Sequence, residues 1–218
     1  MSLGYEKFQS LISSKPIIRM GAWIALAFLY LIIRFGLTVQ LESSGEYSSY
    51  FLEAVLVLIA IVLAGKSFFE MFAVRRSVLF GAFGTSIAGF AIYKLAATVG
   101  ILIPFDLQGK ETILMLLLVA PILEEFIFRF FLWQPIDSLI KRPLFTWSMT
   151  SLVFSYSHLH AIWFVPAEIH PFIILQTIYT LALGFACGYF VFRQKSILGA
   201  ILLHFFFNLG FYLASLNS

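Results

Sequence analysis

Seven stretches of this chain, residues 17–39, 50–72, 78–104, 112–133, 144–159, 171–192 and 197–216, are nearly unbroken runs of apolar side chains. Each is at or near the roughly 17–25 residues that an α-helix needs to cross about 30 Å of hydrocarbon. A chain built this way is expected to be all-α: a polytopic transmembrane helix bundle of about seven spans, the run at 144–159 being the shortest. The composition agrees, since 61% of the residues are hydrophobic and only 11% charged, whereas soluble domains carry roughly 25% charge.

The polar residues between the runs assign sides. With a cytoplasmic N-terminus, Lys7, Lys15, Arg19, Lys66, Arg75, Arg76, Lys141, Arg142, Arg193 and Lys195 all fall on one face, and Lys110 alone falls on the other with Glu42, Glu46, Asp106, Glu111 and Glu168. That asymmetry is the positive-inside pattern, and it predicts the N-terminus in and the C-terminus out. Basic residues placed this way are topology signals, so nucleic acid is not an expected partner and membrane lipid is. The first run is too long for a typical signal-peptide core and is expected to be a retained helix. The single cysteine, Cys187, excludes an internal disulfide and a multi-cysteine metal site. One domain is expected, with N-terminal helices in 1–111 packed against a core in 112–218. Gly184 and Gly188, four apart, predict close approach of the sixth run to a neighbour.

Few ionisable residues remain at depth. Arg34, Glu53 and Lys94 lie towards the ends of runs, where long side chains are expected to snorkel to the interface. "PILEEFIFRFF" (121–131) is different, because Glu124, Glu125 and Arg129 sit well inside a run. Left unpaired, three such charges would cost about 8–10 kcal/mol on insertion scales. Glu125 and Arg129 are four apart and predict an ion pair along one helix face. Glu124 points about 100° away from Glu125, towards something else, and is a candidate general base. In "FSYSHLH" Phe154 and His158 share a face, and in "HFFFN" so do His204 and Asn208. Glu124 is 17 residues before Lys141 and His158 is 17 after it, so a helical hairpin turning at "KRP" brings the two level. Pro135 is a potential kink in the first arm. His204 is only nine residues past Lys195; its depth requires tilt or a deep loop. Each histidine, and Asn208, has a duller use as interhelical glue. Together they contain the parts needed to activate water and stabilise an oxyanion.

"EEFIFR" (124–129), "FSYSH" (154–158) and "HFFFN" (204–208) resemble, in that order, the E-E-x-x-x-R, F-x-x-x-H and H-x-x-x-N/D motifs of the CPBP family, which comprises CAAX prenyl endopeptidases, bacterial Abi proteins and bacteriocin self-immunity proteins. The resemblance covers about residues 112–212. It implies an intramembrane glutamic protease, a hydrolase acting on peptide bonds of membrane-associated substrates, CAAX-type prenylated ones among them, in which Glu124 and His158 activate water, and His204 and Asn208 stabilise the oxyanion. Glu125, Arg129 and Phe154 would support the site. Phe130 departs from the glycine that commonly follows the motif arginine, which bears on local packing. The alternative is a noncatalytic membrane scaffold or bacteriocin-immunity protein of the same fold; a proton-coupled transporter lacks the two related halves that would mark it. Zinc-protease, G-x-S-x-G and aspartyl-dyad signatures are absent. No cofactor is expected, a zinc ion at Glu124, His158 and His204 being the lesser alternative. The expected location is a prokaryotic plasma (inner) membrane.

Overall fold

A computed structural model of the protein describes residues 16–45, 48–65, 71, 72 and 76–217. Lys7, Lys15, Glu46, Lys66 and Arg75, used above to assign sides, lie outside the described residues, as do the side chains of Arg19 and Glu42. Among the described residues there is no β-strand. The protein is an all-α membrane bundle, as expected of a chain whose backbone amides must be satisfied within each segment in lipid.

The helices are α1 (Pro16–Gly36), α2 (Thr38–Ser44), α3 (Ser48–Ala64) and α4 (Arg76–Thr98), followed by a long broken helix. That helix comprises α5 (Lys110–Leu114), a π-helical turn (Met115–Val119), α6 (Ala120–Phe126), a second π-helical turn (Ile127–Phe131) and α7 (Trp133–Ile140). Then come α8 (Pro143–Leu159), two short 3-10 turns, α9 (His170–Gln194) and α10 (Ile197–Ser215). Three helices, Arg76–Thr98, Ala167–Gln194 and Ile197–Ser215, are long and apolar enough to cross a membrane, and Met20–Gly36 and Ser48–Ala64 are shorter apolar helices.

Two runs are shorter as helices than their apolar character suggests. The first bends at Leu37. The third stops at Thr98 because Gly100 takes a left-handed conformation (φ 72°). There the amide of Ile101 donates to Ala96 O at 2.9 Å and that of Gly100 to Ala97 O at 3.2 Å, a Schellman closure that ends the helix before Pro104.

Packing is set by small residues at helix crossings. A Cβ on Gly89 would lie 2.0 Å from Phe207 O, and one on Gly210 would lie 1.9 Å from Ser86 O. The α4 and α10 backbones are therefore in direct contact, the arrangement small residues permit in lipid. Gly210→Ala or Gly89→Ala is expected to force these helices apart and lower stability by about 1–3 kcal/mol. Thermal unfolding in detergent checks this against Gly21→Ala, whose Cβ meets nothing within 4 Å. Gly184 and Gly188 give α9 the predicted close approach, to α8: a Cβ on Gly188 would be 2.4 Å from Trp147 Cδ1.

Phe130 is buried and meets Trp23 of α1 edge-to-face at 5.7 Å. The bulky residue thus anchors α1 to the second π turn. The turn between α9 and α10 is sunk into the bundle, with Ser196 and Ile197 both fully buried. Ser196 Oγ caps α10 by accepting from the Gly199 amide at 2.9 Å.

Candidate active site

The two π turns frame α6, which carries Glu124 and Glu125. Such widened turns shift the register of side chains along a helix and recur at functional sites. In the first, the amide of Ala120 donates to Met115 O. The next bond in that series would run from residue 121 to Leu116 O, but Pro121 has no N–H. Asn208 Nδ2 of α10 donates to Leu116 O instead, at 2.7 Å.

The predicted ion pair forms. Arg129 Nε lies 3.2 Å from Glu125 Oε2, with both side chains fully buried. Neither atom has hydrogen-bond geometry there, so the contact is one of charge. Arg129 also donates through a terminal nitrogen to Gly184 O of α9 at 3.2 Å, and its guanidinium lies over the Phe154 ring at 4.5 Å. The other oxygen of Glu125 accepts from His204 Nδ1 at 2.9 Å. One acid and one base thus tie the broken helix to α8, α9 and α10.

Because Nδ1 of His204 is engaged by Glu125, its Nε2 is the nitrogen turned towards Glu124. That Nε2 is 3.8 Å from Glu124 Oε2, and His158 Nε2 is 4.0 Å from the same oxygen. Both separations exceed a direct hydrogen bond and suit a small group held between them. His158 Nε2 is buried without a hydrogen-bond partner among the described residues. Phe154 lies edge-on to both imidazoles, at 5.1 Å from His158 and 5.8 Å from His204. The hairpin arithmetic for Glu124 and His158 therefore corresponds to a close approach in space.

Glu124, His158, His204 and Asn208 all line one cavity of about 730 Å³, whose remaining wall is largely aliphatic and aromatic. Glu124 also lines a second cavity of about 410 Å³ with Tyr30, Arg34, Tyr50, Glu53 and Ser157. This corrects the snorkelling expectation for Arg34 and Glu53. Glu53 is only 8% exposed, and both residues face the cavity that reaches Glu124. The reason is the end of α1 at Gly36 and the start of α3 at Ser48, which bring the two residues to the same end of a packed helix pair. Lys94 behaves as expected, its exposed Nζ donating to Asn217 O at 2.8 Å. The signal available in the sequence was the pairing of Tyr30 with Arg34 and of Tyr50 with Glu53, each on one helix face. Among the described residues no group of three or more His, Cys, Asp or Glu is arranged to hold a metal ion.

Helices of this apolarity around a buried acid, base and imidazole network define an integral membrane protein with a built polar interior. The family model for type II CAAX prenyl endopeptidase Rce1-like proteins matches residues 111–210, the stretch in which the three motifs lie. Helices α1–α4 precede the matched segment. No curated protein and no solved structure matches the chain.

Proposed function

We propose that this protein is an intramembrane endopeptidase that hydrolyses a peptide bond in a membrane-associated, CAAX-type prenylated substrate. The observation that carries the reading is the approach of two imidazoles to one oxygen of Glu124, in a cavity that Asn208 also lines. The family match supports the substrate class, and the apolar wall of the cavity suits an isoprenoid chain.

A water held between Glu124 and His158 gives a proton to Glu124 as its oxygen bonds to the scissile carbonyl carbon. The carbonyl electron pair moves to oxygen. That oxyanion is met by Asn208, whose second Nδ2 hydrogen is not engaged by Leu116, and by His204 Nε2. For Nε2 to donate, the His204 ring must hold both protons, and the carboxylates of Glu125 and Glu124 on either side supply its counter-charge. Glu124 then passes the proton to the amide nitrogen, the C–N bond breaks, and an acid and an amine leave.

The scaffold reading draws on the same buried ion pair, but it gives Glu124 no task. Glu124 keeps about 20% of its side chain exposed, and its closest ionisable nitrogens are 3.8 and 4.0 Å away. In liposomes, with an S-farnesylated peptide as substrate, His158→Ala is expected to lower turnover about 10²–10⁴-fold. Asn208→Ala should lower it about 10²–10³-fold. Wild-type turnover in both folded variants would end the endopeptidase reading.

A further inference from the structure

The chemistry above uses one of two cavities that meet at Glu124. The smaller is built largely by α1 and α3, outside the matched segment, from Tyr30, Arg34, Ser49, Tyr50 and Glu53. Arg34, Tyr50 and Glu124 line both cavities, so the two adjoin beside the acid. Their walls differ in character, one rich in hydroxyls and charge, the other mostly hydrocarbon.

Arg34 differs from Arg129 and Lys94. Arg129 is paired with Glu125 and donates to Gly184 O, and Lys94, at the exposed end of its helix, donates to Asn217 O. Among the described residues, the Arg34 guanidinium takes part in no salt bridge. Glu53 lines the same cavity, and among the described residues no salt bridge joins it to Arg34. A guanidinium presented to a cavity in this way matches a carboxylate.

A bond hydrolysed at Glu124 leaves the acyl part of the substrate on one side and the amine part on the other. With the prenylated cysteine in the apolar cavity, the leaving peptide extends into the polar one. A CAAX substrate ends three residues beyond its cysteine, which places its terminal carboxylate within about 10 Å of the scissile bond at roughly 3.3–3.6 Å per residue. We propose that Arg34 binds the C-terminal α-carboxylate of the substrate and restricts cleavage to bonds close to a free C-terminus. The proposal rests on the endopeptidase reading.

Two S-farnesylated Cys-Val-Ile-Met peptides, one with a free C-terminal carboxylate and one amidated, separate the possibilities in liposomes of the full chain. The wild type should cleave the free acid with about 10–100-fold higher kcat/KM. Arg34→Gln should lose that factor on the free acid and leave the amide unchanged, which also reports an intact fold; Arg34→Lys should retain part of the preference. Equal losses on both peptides, or no preference in the wild type, overturn the proposal. An Arg34→Gln effect seen only when phosphatidylglycerol is added to phosphatidylcholine assigns the site to a lipid phosphate and overturns it too. If the wild type cleaves neither peptide, the endopeptidase reading fails by itself. Binding of fluorophore-labelled forms of the two peptides to the Glu124→Gln protein then decides: a free-acid preference lost with Arg34→Gln supports the assignment, and its absence overturns it.

Discussion

Glu124→Gln is expected to lower cleavage of a farnesylated peptide about 10³-fold or more and to leave the bundle folded. The amide keeps the shape of the side chain and removes the base, and a positioned general base contributes about 10²–10⁴-fold. Little stability should follow the charge, because Glu124 makes no contact with His158 or His204 closer than 3.8 Å and keeps a face towards the cavities. The thermal midpoint should move by no more than corresponds to about 0.5 kcal/mol. Glu124→Asp withdraws the carboxylate by roughly one methylene and should cost about 10²-fold, as a misplacement of about 1 Å can. Retained turnover in the glutamine variant would remove Glu124 from the chemistry. Loss of turnover accompanied by unfolding would instead favour the scaffold.

Arg129→Met is expected to have the larger effect on stability, about 3–5 kcal/mol, because it strands a carboxylate in the interior. Glu125 is fully buried, and its remaining partners would be His204 and the Cys187 thiol. Methionine keeps much of the aliphatic stem but cannot reach Gly184 O or replace the cation over Phe154. Adding Glu125→Gln should recover part of the loss, since two neutral groups of similar volume leave no uncompensated charge. Chemical unfolding in detergent measures both steps. A loss in Arg129→Met within about 0.5 kcal/mol, the range of ordinary surface substitutions, would show that the pair is dispensable to the fold.

Much of this site is legible in the sequence, because its chemistry is carried by polar residues in apolar runs. Charge in hydrocarbon is costly enough that Glu124, Glu125 and Arg129 had to have partners. The four-residue spacing named one pair, and equal spacing from the turn at Lys141 named Glu124 and His158. Less legible was whatever depends on departure from straight helices. His204 lies within 3.8 Å of Glu124 and 2.9 Å of Glu125, a proximity that the count of residues from Lys195 does not encode. The third run looked longer than its helix because Ile101, Ile103 and Pro104 are apolar yet follow the left-handed Gly100. Arg34 and Glu53 stand towards the ends of apolar runs, a position that in sequence indicates the interface. The bend at Leu37 and the packing of α1 on α3 make that position misleading. The π turns were not anticipated, although a proline just past the first of them was visible at position 121.

That proline has an effect on a helix nearly ninety positions later. A carboxamide is nearly symmetric in shape, and its oxygen and nitrogen ends exchange by a half-rotation. With Leu116 O waiting for a donor, the Asn208 amide has a reason to keep its nitrogen end where it is. An irregularity in one segment thereby selects a rotamer in another, and Pro121→Ala, by returning a competing N–H, would loosen that selection without altering any residue that meets the substrate.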